Sequence, residues 1–479
     1  MPVASTSTLD LDGLLTASNH DNSHAVFTRA SSQFNPIKEY NDEFFITYKN
    51  KTYNQQYANL YYIRLAMLKP RVSKIAAECW TGMKIAGQSV KPTGRVLDVR
   101  QGELCWTVGT IYMEMSAKPN ILDDVTKDFW ATAPIVAEKY RDFDNDEITL
   151  EDESGRLNLV GPVIKNTFLV TGCVVAVLGS ETASGDFDVV DIKFPGLAPQ
   201  KPLNIIAEGH QSKYIALLSG LNISGDQHEK YQTSLLFEYL AGELGSPADS
   251  QRASEIVHVI VAGNSLAGPK DAADETGTAG QKKKYGYGAS SYNPNPTSAL
   301  DSFLAELSIS VNVDVMPGDH DPTNHAIPQQ ALHPALISRS RKYLGSSFKS
   351  VANPYWWDCD GLRIFGTSGQ PINDIYKYVE GDDRIQMMEH TLQWQHAAPT
   401  APDTLWCYPF VDRDPFILSE TPHLYFAGNQ PKFDTKLVKG DANEVVRVIA
   451  VPEFSKTSEI VLVDISTLEC QVVKFEASR

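Results

Sequence analysis

The stretch SVNVDVMPGDHDPTN, residues 310–324, alternates apolar and polar side chains and then breaks at Pro317 and Gly318 into a loop holding two aspartates and a histidine. Alternation with period two predicts a β-strand. In a layered α/β protein, the loops at strand ends carry the chemistry, so Asp319, His320 and Asp321 are the first candidate metal ligands. A plainer reading stands beside that one. Asp321 followed by Pro322 suits a helix N-cap with proline at the first helical position, and Asp319 and His320 can hydrogen-bond within a tight loop.

Working outward, further runs of β-branched residues end in small residues: YIALLSGLNI (214–223), EIVHVIVAGNS (255–265), GLRIFGTSG (361–369), TLWCYPF (404–410) and HLYFAGNQP (423–431). VVRVIAVPEF (445–454), EIVLVDIS (459–466) and CQVVKFE (470–476) add three more. Near-continuous apolar runs predict strands buried on both faces, and the helical stretches SLLFEYLAGEL (234–244) and TSALDSFLAELSI (297–309) supply covering layers. Residues 201–479 therefore read as an α/β sandwich. Within it, 268–296 is too polar and glycine-rich to pack and reads as a long surface loop.

The region before it differs. GRVLDV (94–99), ELCWTVGTIYMEM (103–115), EITLEDESGRLNLVG (147–161), TFLVTGCVVAVLGSE (167–181) and DFDVVDIKF (186–194) are short strand patterns broken by the turn signals DESG and ASGD. Five or six strands in about a hundred residues predict a small closed barrel, an OB-fold first among them. Ahead of it Tyr57, Leu60, Tyr61, Arg64, Leu65 and Leu68 recur at helical spacing until Pro70, where the helix should stop. The expected organisation is a flexible tail over 1–33, a helical lead-in and OB-fold domain over 34–200, and the sandwich over 201–479.

Composition excludes several functions. Of 479 residues, 42 are Lys or Arg and 59 Asp or Glu, a formal charge of −17 that repels a phosphate backbone and argues against strong direct DNA binding. The six cysteines show no C-x-x-C pair and read as buried free thiols. No apolar run reaches the roughly 18 residues a membrane span needs, and no secretory signal pattern opens the chain. Gly286 and Gly288 lack the strand-before, helix-after context of a phosphate loop, Lys282, Lys283 and Lys284 read as a solvated triplet, and Ser368 lies in no G-x-S-x-G pattern.

Taken in order, the strand-end loops LLSGLNIS, VAGNSL, MPGDHD, GTSG and AGNQP resemble those of the calcineurin-like metallophosphoesterases, whose signatures are D-x-H, G-D-x-x-D, G-N-H-[DE], a lone His and G-H-x-H. The resemblance implies that Gly220 and Asn222 stand where the first Asp and His ligands belong. It places Asn264 at the aspartate that bridges the metals, and Asn429 and Pro431 at the last two histidines. His320 and Asp321 match the third signature, with Asp319 in place of its asparagine; the lone His has no counterpart near Thr367, Ser368 and Gly369. Two dications facing each other need an anion between them, which the Asn264 amide cannot supply. The eight positions Gly220, Asn222, Asn264, Asp319, His320, Asp321, Asn429 and Pro431 are expected to be a degenerate former metal site, with no cofactor in this chain.

A barrel followed by such a stripped phosphodiesterase fold, with YIRLAML, VDVMPGDHDPTN, NPYWWDCDG and HLYFAGNQPKF, resembles the DNA polymerase delta/II small-subunit family. The resemblance implies a nuclear, non-catalytic scaffold without strong direct DNA binding or membrane contact. Its implied partners are the cysteine-rich C-terminal domain of the polymerase delta catalytic subunit, which would carry the metal or iron–sulfur centre, the third subunit of that polymerase, and the polymerase zeta catalytic subunit of translesion synthesis. The alternative is an active metal-dependent phosphodiesterase or 3′–5′ exonuclease.

Overall fold

The computed structural model describes residues 27–47, 49, 51–54, 56–118, 138–142, 145–203, 212–225, 231–268 and 294–476, and the backbone of 6–8. The flexible insertion expected at 268–296 falls almost wholly outside these residues, as do Gly286, Gly288 and the lysine triplet.

Two stacked mixed sheets form the larger part. One runs in the order Thr6–Thr8, Cys470–Lys474, Glu459–Asp464, Tyr214–Leu218, Ile256–Ala262, Asn312–Met316, Phe348–Ser350, parallel from Tyr214–Leu218 onward. The other runs Asp434–Lys439, Val445–Pro452, Leu424–Gln430, Leu362–Thr367, Tyr355–Cys359, Phe34–Pro36. Every residue of Tyr214–Leu218 and of Ile256–Ala262 is buried, because side chains that alternate along a strand meet a packed layer on either side. Ile215, Leu217, Ile260 and Met316 face the second sheet and pack with Trp357, Ile364, Phe426 and Ile449. Ala216, Leu218, Val259 and Val261 face outward onto the helices Tyr231–Ala241 and Asn295–Ser310. Each fully buried Val, Leu or Ile side chain among them contributes roughly 1.5–3 kcal/mol.

The smaller part is the barrel. Six strands follow the order Lys91–Pro92, Leu104–Glu114, Glu147–Glu151, Arg156–Val160, Phe187–Lys193, Val174–Glu181, and Leu104–Glu114 also pairs with Val174–Glu181 over seven residues, which closes it. Gly109 sits inside this closure, where a Cβ would lie 2.6 Å from the carbonyl oxygen of Glu151. Barrel residues Ile111, Leu150, Val175, Val177 and Phe187 belong to the same hydrophobic cluster as Phe365, Tyr425 and the helix residues Ile375, Met388 and Leu392 of the sandwich.

Several expectations are corrected. The helix does not stop at Pro70 but runs Ala58–Trp80. Pro70 removes one backbone donor, to Ala66, on the exposed side of the helix, while buried Leu65, Leu68, Val72, Ala76 and Trp80 pack on barrel strands on both sides of it, so packing overrides the local penalty. GRVLDV is a short 3₁₀ turn, Val96–Asp98, held by the Asp152 carboxylate accepting from Val96 N at 2.9 Å. TLWCYPF is no strand; only Cys407 makes an isolated bridge, to Ile327. The 34–200 region opens in the sandwich, since Phe34–Pro36 pairs with Tyr355–Cys359 and Phe34 stacks on His258 at 3.7 Å. Residues 27–33 are fastened too: Arg29 donates to the carbonyls of Leu240, Ala253 and Ile256. Of the cysteines, five are buried and Cys79 is exposed. Among the described residues, no helix is long and apolar enough to cross a membrane.

Candidate functional site

The strand ends of both sheets converge on one cleft of about 960 Å³. They approach through glycine. A Cβ at Gly263 would fall 2.9 Å from Gly318 Cα, one at Gly428 2.4 Å from the Ala262 carbonyl oxygen, and one at Gly220 2.3 Å from Glu453 Cγ. Gly220 has φ +63°, and Asn222, Asn264 and Asn429 have φ of 48°, 51° and 54°, the left-handed region that asparagine tolerates best after glycine.

Five of the eight expected positions line the cleft: Asn222, Asn264, Asp319, His320 and Asn429. Gly220, Asp321 and Pro431 do not; Pro431 is exposed, and its neighbour Gln430 is the buried residue there. The asparagines staple the loops. Asn429 Nδ2 donates to the carbonyls of Ala262 (3.1 Å) and Ser368 (2.8 Å). Asn222 Nδ2 donates to Glu453 Oε1 (2.6 Å) and Ser455 Oγ (2.8 Å). Asn264 Oδ1 accepts from His320 N at 3.2 Å.

Asp321 is not a helix N-cap; no helix follows it. It lies buried beneath the loops, where its carboxylate accepts from the backbone N–H of Gly318 (2.7 Å), Leu266 (3.0 Å) and Ser265 (3.2 Å). Burial pushes its pKa above the ordinary carboxylate value in spite of these three donors. Asp321→Ala would orphan three buried N–H groups, and should cost about 2 kcal/mol in urea denaturation. A stability equal to the parent's would show that water replaces the carboxylate.

Around the floor runs an amide network that no local sequence signal announces. Asn353 Nδ2 donates to Gln329 Oε1 (2.9 Å) and to Ser368 Oγ (2.7 Å), and Gln370 Nε2 donates to Gln329 Oε1 (2.8 Å). Ser368 also contacts Gln370 through its hydroxyl. Asp374, buried and accepting from Thr404 Oγ1 at 2.6 Å, has its pKa raised by burial. Glu453 was within reach of sequence reasoning, since it follows the strand Val445–Pro452 as a strand-end residue. Among the described residues, no three His, Cys, Asp or Glu side chains gather into a group that could hold a metal ion.

Comparison with known proteins agrees with this arrangement along the length of the chain. Residues 56–192 match the family model of the DNA polymerase delta subunit OB-fold domain, and 215–435 match that of the B subunit of DNA polymerase alpha/epsilon. The DNA polymerase delta small subunit of Arabidopsis thaliana is 38% identical over 455 residues, 95% of this chain and 98% of the relative. The chain belongs to the DNA polymerase delta small-subunit family. The Saccharomyces cerevisiae small subunit is 36% identical over 510 residues, spanning 97% of this chain and 100% of its own. DNA polymerase delta subunit 2 of Drosophila melanogaster is 36% identical over 434 residues, 89% of this chain and 95% of the relative. The barrel is thus the family's OB-fold domain, and most of the amide-lined cleft comes from the region that matches the alpha/epsilon model.

Proposed function

We propose that this chain is the non-catalytic accessory subunit of DNA polymerase delta, acting as a scaffold in DNA replication and repair in the nucleus. Membership of the small-subunit family carries the polymerase assignment, and the catalytic subunit is the partner that it implies. The scaffold would hold the cysteine-rich C-terminal domain of that subunit and, on another face, the third subunit, with the polymerase zeta catalytic subunit as a second client. The sandwich is read as a calcineurin-like phosphodiesterase fold whose ligand positions have become loop staples.

One observation supports that reading above the others. Asn222, Asn264 and Asn429, at three of the positions where the family resemblance puts metal ligands, are neutral amides held in left-handed backbone and bonded to neighbouring loops. A neutral amide cannot bridge two dications, and it stabilises the loops without them.

The test has two arms. Purified protein should show no hydrolysis of a phosphodiester substrate with Mn²⁺ and no stoichiometric metal, and it should gain thermal stability when the catalytic subunit's C-terminal domain is added. Manganese-dependent turnover that disappears in His320→Ala would establish the exonuclease alternative instead. Failure to co-purify with the catalytic subunit would remove the scaffold assignment.

A further inference from the structure

One stretch of this acidic chain carries no acid. Between Asp321 and Asp358 the sequence has no Asp or Glu, although the whole chain has 59. Its cations gather on one turn. Arg339, Arg341 and Lys342 are exposed on and beside the 3₁₀ turn Ser340–Tyr343, and none of the three has an ion-pair partner among the described residues. The Arg339 guanidinium donates to the Ser302 hydroxyl, and the Lys342 ammonium lies 4.7 Å from the centre of the Tyr343 ring. Glu306, the exposed acid of the helix Asn295–Ser310 beneath them, pairs with none of them.

The turn has a built base. Asp301, only 3% exposed, accepts from Arg339 N (2.7 Å), Ser340 N (2.8 Å) and Ser340 Oγ (2.8 Å), and Arg341 N donates to Ile337 O at 2.9 Å. A buried carboxylate with three donors fixes the backbone, so less order has to be created when something binds the cations above it. Apolar surface adjoins them. Leu344, which follows the turn, is 46% exposed, and Ile309, near the end of the helix, is 68% exposed. Ser347 Oγ donates to Ser308 O at 2.6 Å, which sets Ile309 beside the loop that carries Leu344.

We propose that this face docks an acidic segment of a protein partner, one that carries leucine or isoleucine between its carboxylates. The carboxylates pair with Arg339, Arg341 and Lys342, where a guanidinium can take two oxygens at once, and the apolar side chains cover Leu344 and Ile309. Charge complementarity selects that occupant. Phosphates would gain nothing from Ile309 and Leu344, and three cations on a chain of net charge −17 neutralise too few phosphates for a nucleic-acid site. The inference goes beyond the scaffold reading, since it names a docking face and the chemistry that the face accepts, whichever protein supplies the segment.

The test is titration calorimetry on the full-length chain purified apart from its polymerase partners. The probes are acetyl-Glu-Leu-Asp-Glu-Leu-Leu-Glu-Asp-amide, a counterpart with Gln and Asn in place of the acids, and one with Ser in place of the leucines. The acidic peptide should bind, the neutral one about tenfold or more weaker, and the serine one about three- to tenfold weaker. The double variant Arg339→Glu/Arg341→Glu should weaken the acidic peptide about tenfold or more. Lys342→Gln and Ile309→Ser, at exposed side chains, should each weaken it about two- to fivefold, and they keep the test readable where the double variant unfolds. Equal binding of the acidic and neutral peptides, no binding of either, or affinity untouched by all these substitutions would overturn the proposal. So would tighter binding of a single-stranded oligonucleotide or of phosphatidylserine vesicles that the double variant abolishes, which would assign the turn to phosphates. No polymerase subunit enters the titration, so its failure leaves the scaffold assignment standing, and failure to co-purify with the catalytic subunit leaves the docking face standing.

Discussion

Arg64→Ala should lower the stability of the chain by about 3–5 kcal/mol, the range for breaking a buried, hydrogen-bonded ion pair by removing one partner. Arg64 lies on the buried face of the helix Ala58–Trp80 and is fully buried. Its Nε donates to Asp414 Oδ2 at 2.8 Å, Nη1 to the carbonyl of Pro399 at 2.8 Å, and Nη2 to that of Ala401 at 2.7 Å. A longer contact, 3.4 Å, reaches the Gly172 carbonyl in the barrel. One guanidinium thus joins the helix, the barrel and the sandwich. Alanine would take the guanidinium from the buried Asp414 carboxylate, leaving it the His396 ring as its charge-bearing partner, and would leave three carbonyls unpaired. Gly172→Ala reports on the same junction, because at φ +92° an added Cβ would sit 2.0 Å from the Pro399 carbonyl oxygen. The measurement is urea denaturation followed separately in the barrel and in the sandwich. A loss under about 1 kcal/mol for Arg64→Ala, with both parts still unfolding together, would show that apolar packing alone holds the junction.

Mild acid should attack the same place. His396 Nδ1 accepts from Ala398 N at 3.2 Å, so the ring proton sits on Nε2 and is donated to Asp414 Oδ2 at 2.9 Å. Burial, with the Arg64 charge beside it, brings the His396 pKa down to about 4 in spite of Asp414. For Asp414, burial pushes upward, but His396 and Arg64 outweigh it and hold the carboxyl well below its usual range. The unfolded imidazole titrates near 6.5, so between there and about 4 the unfolded chain binds a proton that the folded chain refuses. Stability is complete above that window and is lost as pH falls through it. From about pH 7.5 to about 5.0 His396 alone accounts for about 2 kcal/mol. His390 and His423, whose pKa values burial also lowers, add the same sign. Asp321 and Asp374, raised by burial, oppose it once pH nears their own values. Asp414 begins to lose its contribution only as pH drops below the ordinary aspartate value near 3.8. His396→Gln, which cannot take up a proton, should flatten the loss across that same pH interval. An unchanged pH slope in that variant would assign the acid sensitivity elsewhere.

Much of this architecture is legible in the sequence because strands buried on both faces must be apolar wherever they occur. The runs at 214–223, 255–265 and 423–431 announce themselves without knowledge of their neighbours, and the period of Leu60, Arg64, Leu65 and Leu68 gives a helix face. Local signals mislead where a distant surface outweighs them. Pro70 should end a helix, yet the barrel wall carries it on to Trp80. Asp321–Pro322 should begin one, yet three N–H groups from two loops claim the carboxylate first. TLWCYPF has strand composition but finds no sheet edge to pair with beyond one bridge.

At the site the division is sharper. Residue identity by itself shows that the strand ends carry Asn222, Asn264 and Asn429 in place of acids and imidazoles, since charge is a property of the side chain and needs no neighbours. Which partners those amides would bond was decided only in three dimensions. Glu453 lies 231 residues from Asn222, and Asp414 lies 350 from Arg64. A hydrogen bond depends on separations of a few tenths of an ångström, which chain order does not encode and which the packed loops set.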